Sequence, residues 1–121
     1  MSYSVAAKAP AGIAALGVPV ASEGAVPKGV SLSRSTLEAL GFTGKIGQTY
    51  VVPSDKGPVT ILVGVGESSK MTITGLRKAA AALSRAALPY ASLATELANV
   101  GHVDRKLAAQ AVVEEIGRAH V

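Results

Sequence analysis

The sequence contains no cysteine and no tryptophan, and it has only three tyrosines and one phenylalanine. Without cysteine there are no disulfides, thiolate metal sites or cysteine nucleophiles. Histidine occurs only at positions 102 and 120, which excludes a histidine-rich metal site. With 49% hydrophobic and 17% charged residues, the 121-residue chain is predicted to fold as one domain with an aliphatic, alanine-rich core.

Long hydrophobic runs are also missing. The longest, residues 11–21, is interrupted by Gly17 and Pro19 and is about half of the ~20 residues that a membrane-spanning helix needs. The amino terminus has no basic segment followed by an apolar stretch, so it does not resemble a signal peptide. We therefore expect a cytoplasmic protein with no membrane partner.

The formal net charge is +4 and the sequence pI is about 9.6. The basic residues are scattered and never form more than a pair, such as Arg77-Lys78. A nucleic-acid footprint is a clustered patch, preferably with aromatic residues between the charges. The pattern therefore favours solvated helix faces and does not support nucleic-acid binding.

Hydrophobic periodicity and turn residues predict an alternation of strands and helices. Strands are predicted at 13–20, 49–52, 58–63 and 90–97, and helices at 31–40, 73–88 and from 105 onward. The two strands flanking the short turn at 54–57 are predicted to form a hairpin. This order predicts an α/β fold, a mixed β-sheet flanked by helices.

Helix ends and faces are predicted by local signals. Thr72 and Asp104 are expected N-caps, and Ser31, Ser33 and Ser35 are alternatives for the first helix. Inward-facing residues of the first helix are predicted to be Leu37 and Leu40. The long middle helix is predicted to bury a stripe formed by Leu76, Ala79, Ala80, Leu83 and Ala87. The last helix is predicted to bury Leu107, Ala111 and Val112.

One glycine-containing turn is a weak phosphate-binding candidate. Gly64, Gly66 and Lys70 follow a predicted strand and precede a helix, a position where free backbone N–H groups can bind phosphate. The segment matches neither the dinucleotide fingerprint nor the P-loop. The alternative is that the glycines simply turn the chain out of the sheet.

Catalytic and metal-binding patterns are not found. The acidic residues stand alone except Glu114 and Glu115, which we expect to point in different directions as helix neighbours. No serine lies in a Gly-x-Ser-x-Gly elbow, and His102 is interpreted as an exposed turn residue. We therefore predict no catalytic residue, no metal ligand and no cofactor in this chain.

Several segments together resemble the amino-terminal domain of the cytosolic leucyl aminopeptidase family. They occur in the family's order over residues 13–114, with Gly75 and the leader as local departures. The segments are Leu16-Gly17-Val18-Pro19-Val20, the series Leu40 to Thr49 (in which Phe42 to Gln48 is similar to the turn Phe-x-Gly-Lys-x-Gly-Gln/Glu before a strand), Ile61 to Gly66, Leu76 to Ala80, and Ala109 to Glu114.

The resemblance implies a macro-domain-like α/β domain that is missing its last elements. Members of the family are metal-dependent exopeptidases that remove amino-terminal residues from peptides, with two divalent ions (manganese, zinc or magnesium) per subunit. They commonly form homohexamers, and in some members this domain binds DNA. The ligands lie in a carboxy-terminal catalytic domain, in Gly-Lys-Gly-x-x-Phe-Asp and Asn-Thr-Asp-Ala-Glu-Gly-Arg motifs. Neither motif occurs here, so the chain alone is predicted to be inactive.

The end of the chain departs from the family pattern. Residues 115–121 can be written in codons that reproduce a widely used sequencing-adapter oligonucleotide, so we interpret them as a non-native tail from adapter read-through. A genuine short protein is the alternative. The predicted organisation is thus a loose leader at 1–12, the aminopeptidase-type domain at 13–114 and the tail at 115–121.

Two other functions stay open at this point. One is a stand-alone macro-type module that binds a phosphate or nucleotide at Gly64, Gly66 and Lys70. The other is an accessory oligomerisation or DNA-binding protein, for which Arg77 and Lys78 are the basic residues to test.

Overall fold

The computed structural model describes residues 2–5, 13–27, 29–100 and 104–119. His102 and His120 lie outside these residues. The elements are β1 (Ser2–Val5), β2 (Ala15–Ala21), α1 (Arg34–Ala39), β3 (Thr49–Val52), β4 (Val59–Gly66), a 3₁₀ turn (Ser68–Lys70), α2 (Ile73–Ala86), β5 (Ser92–Thr95), a second 3₁₀ turn (Leu97–Asn99) and α3 (Arg105–Ala119).

The strands form one mixed sheet in the order β1-β5-β2-β4-β3. The neighbouring pairs β1–β5, β5–β2 and β2–β4 are parallel. The pair β4–β3 is antiparallel, with Tyr50 opposite Leu62. The predicted α/β class and the predicted hairpin are therefore confirmed. Parallel strands of one sheet need long crossover connections. The connection from β4 to β5 contains α2 and crosses β2, which lies between these two strands in the sheet.

The main core lies where α2 and α3 pack against one face of the sheet. The predicted stripe of α2, from Leu76 to Ala87, is completely buried at all five positions. Thr72 is the N-cap, as predicted, and its hydroxyl accepts a hydrogen bond from Gly75 N at 3.0 Å. The absence of a side chain at Gly17 allows α2 to approach the sheet closely. A Cβ atom at this position would lie only 2.6 Å from a methyl carbon of Leu83.

A smaller core lies around α1. Leu37 and Phe42 pack there with residues of β2 and β4, namely Val18, Val20 and Leu62. Ser33 is the N-cap of α1 and accepts a hydrogen bond from Thr36 N. Each face of the sheet therefore has its own aliphatic cluster, as expected for strands with apolar residues on both sides.

Two predicted core positions are wrong. Leu40 is 49% exposed because α1 ends at Ala39 and Leu40 is its C-cap. Leu107 is 57% exposed, and Ala108 is buried in its place. Ala108 has the i, i+3, i+4 spacing with Ala111 and Val112 that a single helix face requires, whereas Leu107 lies one position to the side of that face.

Two predicted strand limits also change. Residues 2–5, inside the predicted leader, form β1 and pair with Ser92–Thr95. The alternation of polar and apolar residues in Ser2-Tyr3-Ser4-Val5 is typical of such a strand. In addition, β4 continues through Gly66 and does not end at residue 63, because its last residues still pair with β2.

The end of the described chain is helical. Arg105–Ala119 form one helix, so residues 115–119 continue the helix that begins before them, and Ile116 is completely buried in the main core. The domain limits at residues 12 and 114, and the non-native origin of residues 115–121, stay predictions.

Candidate functional site

The candidate site is the turn after β4, at the edge of the sheet where the parallel strands end. In open α/β sheets, ligands bind in the crevice beyond the carboxyl ends of the strands. The ends of β2 and β4 meet here, since Ser22 N donates to the Gly66 carbonyl at 2.9 Å. Of the predicted residues, Gly64 and Gly66 lie at the end of β4 and Lys70 closes the 3₁₀ turn.

The loop before β3 lies directly on the glycines of this turn. Gly64 N donates to the Gln48 carbonyl at 2.7 Å, and Gly66 N donates to the Gly44 carbonyl at 2.8 Å. The Gly64 carbonyl accepts from Gly47 N at 3.2 Å. A Cβ atom on Gly64 would overlap the carbonyl oxygen of Lys45. The glycines therefore permit backbone-to-backbone packing, which supports the structural interpretation of the turn.

Other donors of the turn are also bound within the protein. Ser68 N donates to a carboxylate oxygen of Glu23 at 3.3 Å, and Lys70 N donates to the Glu67 carbonyl at 3.0 Å. The Lys70 ammonium lies 3.2 Å from the Glu67 carboxylate, with both side chains largely exposed. A phosphate would have to replace protein acceptors at Gly64, Gly66, Ser68 and Lys70, so the phosphate site stays a prediction.

The loop of residues 43–48 is held together by the side chain of Gln48. Its amide oxygen accepts from the backbone N–H groups of Thr43, Gly44 and Lys45 at 2.9, 3.1 and 3.2 Å, and from the Thr43 hydroxyl at 3.0 Å. Gly44 has a φ of +87°, which favours glycine. This network explains the spacing of the Phe42 to Gln48 series.

Arg34 links α1 to the end of β2. Its guanidinium donates to three backbone carbonyls, those of Ala21 at 2.9 Å, Glu23 at 3.3 Å and Gly24 at 2.8 Å. No pattern in the sequence indicates this contact, because it depends on where α1 packs. Arg34 therefore fixes the conformation of the loop whose Glu23 carboxylate reaches Ser68.

The pair Glu114 and Glu115 differs from expectation. The two carboxylates converge on one guanidinium, with Arg77 3.2 Å from Glu114 and 3.3 Å from Glu115. The hydrogen bond that Arg77 donates to the Glu114 carboxylate is the main cause that raises the pKa of Arg77 above its ordinary value. The expectation of divergent directions was wrong because Arg77 of α2 lies between the two side chains. This ion-pair cluster joins α2 to α3.

A metal site is not formed by the residues that the structure describes. Among them, no three side chains of histidine, cysteine, aspartate or glutamate are grouped so that they could hold a metal ion. Within the same residues, no helix is both long enough and apolar enough to cross a membrane.

The mixed sheet, the two cores and the glycine-packed loop define the structural class of the protein, an α/β domain. A family model described as the N-terminal domain of the cytosol aminopeptidase family matches residues 26–120. The chain belongs to the cytosol aminopeptidase family, as its N-terminal domain, and the predicted resemblance is confirmed.

Solved structures agree with this assignment. The bottromycin maturation enzyme BotP is similar with a TM-score of 0.72 and 26% identity, over 90% of this chain and 23% of that one. BotP in complex with Mn gives a TM-score of 0.70 and 26% identity, over 88% and 23%. A mutant of tomato leucine aminopeptidase shares the fold, with a TM-score of 0.66 and 18% identity over 100% and 28%. No curated protein sequence matches. The chain thus spans about a quarter of each similar structure.

Proposed function

We propose that this chain is the non-catalytic amino-terminal domain of a metal-dependent leucyl aminopeptidase, an enzyme that removes amino-terminal residues from peptides. The observation that carries the proposal is the family match over residues 26–120. The similarity to BotP supports it, because the aligned region is only 23% of that enzyme and leaves most of its length for a catalytic domain.

The two divalent ions of the proposed parent enzyme do not fit the residues described in this chain. Manganese and zinc need converging carboxylate or imidazole ligands. The described acidic residues form no such group, and Glu114 and Glu115 are bound to Arg77. We therefore assign the metal ions, and with them the hydrolysis, to a carboxy-terminal catalytic domain. The solved complex of BotP with Mn supports a metal-dependent parent.

The partners proposed for this domain follow from the family. They are the catalytic domain of the same protein and further copies of the parent in a cytoplasmic homohexamer, with peptides as the parent's substrate. The buried, ordered core of the domain is consistent with a supporting role. Aliphatic packing holds its helices on the sheet, and the Arg77 ion pairs join α2 to α3.

An activity assay tests the non-catalytic part of the proposal. The purified chain is incubated with a chromogenic leucine arylamide and manganese, zinc or magnesium, beside a complete leucine aminopeptidase as the positive control. We expect no hydrolysis above the rate with metal and substrate alone. Metal-dependent turnover that co-purifies with the chain and is lost on chelation would contradict the proposal.

The nucleotide-binding alternative has less support, because the N–H groups at Gly64, Gly66 and Lys70 already donate to protein oxygens. Titration calorimetry with a nucleoside diphosphate tests it. We expect no binding heat that is sensitive to Lys70→Ala. Saturable binding that this substitution abolishes would favour the nucleotide-binding module.

The DNA-binding alternative rests on Arg77 and Lys78. The Arg77 guanidinium is bonded to two carboxylates, which offset its positive charge. DNA retention is measured at increasing salt for the original chain and for Arg77→Gln with Lys78→Gln. Strongly salt-dependent retention that the substitutions remove would favour this alternative.

A further inference from the structure

The loop that Gln48 closes has the geometry of an anion-binding site. Three consecutive backbone N–H groups, from Thr43 to Lys45, converge on one oxygen atom, and the Thr43 hydroxyl makes a fourth contact. Consecutive N–H groups that line a concavity form a nest, an arrangement that binds anions in many proteins. Here the convergence follows from the positive φ of Gly44.

The group that occupies this nest is uncharged. The Gln48 amide oxygen receives all four contacts, whereas the amide nitrogen makes one long contact of 3.5 Å to the Gly41 carbonyl. Hydrogen bonds from N–H groups to an ionised oxygen are roughly twice as strong as those to a neutral one. Thr43 and Lys45 are exposed, whereas Gly44 is buried and Gln48 is half-buried, so an anion can reach the loop from its Thr43 and Lys45 side.

We propose that Thr43, Gly44 and Lys45 form an oxyanion-binding nest that the protein keeps filled with the amide oxygen of Gln48. A small oxyanion of the phosphate class enters the nest when that side chain is removed. The anion-binding capacity of this edge of the sheet therefore lies in the loop before β3 rather than in the glycine turn at Gly64, whose donors pair with backbone oxygens.

Thermal unfolding of Gln48→Ala tests the proposal. The original chain, Gln48→Ala and the control Gln110→Ala are each melted at pH 7 in sodium phosphate and in sodium chloride of equal ionic strength. Gln110 is an exposed glutamine of α3, outside the loop. At phosphate concentrations about tenfold above the dissociation constant, we expect an additional rise of the melting temperature of about 4 °C for Gln48→Ala alone. Equal rises in all three proteins would overturn the proposal.

Gln48→Glu tests the same nest with a covalently attached anion, and it decides the matter if Gln48→Ala does not fold. The N–H groups are expected to lower the pKa of the introduced carboxylate in the folded state. The substitution should therefore raise the melting temperature at pH 7, and the gain should disappear as the pH falls below the ordinary glutamate pKa of about 4.3. If Gln48→Glu melts at a lower temperature than the original chain both at pH 7 and below a pH of about 4.3, the proposal is contradicted.

Discussion

Substitution of Gly64 by alanine tests the packing at the candidate site. The new Cβ atom would overlap the Lys45 carbonyl oxygen and lie 2.7 Å from the carbonyl carbon of Gly44. These are backbone atoms, so the loop has to move away from β4. The movement would break the hydrogen bonds that join Gly64 to Gln48 and Gly47 and the one that joins Gly66 to Gly44.

The magnitude follows from those three hydrogen bonds. Each hydrogen bond contributes about 1 kcal/mol to stability. Alanine offsets roughly 0.4–1 kcal/mol of their loss, because it lowers the conformational entropy of the unfolded chain. We therefore expect Gly64→Ala to lower the free energy of unfolding by about 2–3 kcal/mol. That is a large part of the roughly 5–15 kcal/mol that stabilises a typical domain.

Gly17→Ala is the matched control, because the same methyl group is added at another crowded glycine of the same sheet. Its Cβ atom would lie 2.6 and 2.9 Å from the two terminal carbons of the Leu83 side chain and 3.0 Å from the Thr95 hydroxyl, and these side-chain atoms shift more easily than the backbone atoms that face Gly64. We expect a smaller loss of about 1–2 kcal/mol. Urea unfolding followed by circular dichroism measures both values. A loss below about 0.5 kcal/mol for Gly64→Ala, or a loss for Gly17→Ala that exceeds the one for Gly64→Ala, would show that the loop does not pack on Gly64 as described.

Three further predictions concern the helices. Leu83→Ala should lower the free energy of unfolding by about 2–5 kcal/mol, and the exposed Leu107→Ala by less than about 0.5 kcal/mol; similar losses in urea unfolding would show that the register of α3 is wrong. Thr72→Ala should remove about 1 kcal/mol through loss of the N-cap, measured in the same way, and an unchanged midpoint would contradict the cap. Arg77→Gln should lower the melting temperature and make it less sensitive to sodium chloride, and an unaltered salt dependence would show that the contact with Glu114 does not stabilise the fold.

The sequence predicts the middle helix well because several signals agree. Thr72 can cap it, Pro89 ends it, and the apolar stripe repeats over three turns, so one amphipathic face explains the whole segment. The antiparallel hairpin can be predicted equally well from the sequence, because only a short stretch of turn residues separates its two strands. Such features depend on local spacing alone, and the structure reproduces them.

Features that depend on tertiary packing were less accessible. The face of α3 was misjudged because Leu107 and Ala108 both fit a four-residue spacing to a later apolar residue, and only contact with α2 decides between them. Glu114 and Glu115 converge on Arg77 although they lie 37 and 38 positions away from it in the sequence. The role of Gln48 follows from the loop's backbone conformation, for which the glycine spacing is only a partial signal.

The proposal that this chain is the amino-terminal domain of a larger metalloaminopeptidase can be tested on the gene. Its most direct test is to sequence the source DNA downstream of the Glu114 codon from an independent clone. We expect an open reading frame that continues into the Gly-Lys-Gly-x-x-Phe-Asp and Asn-Thr-Asp-Ala-Glu-Gly-Arg motifs. A stop codon directly after the Val121 codon in that clone would contradict it.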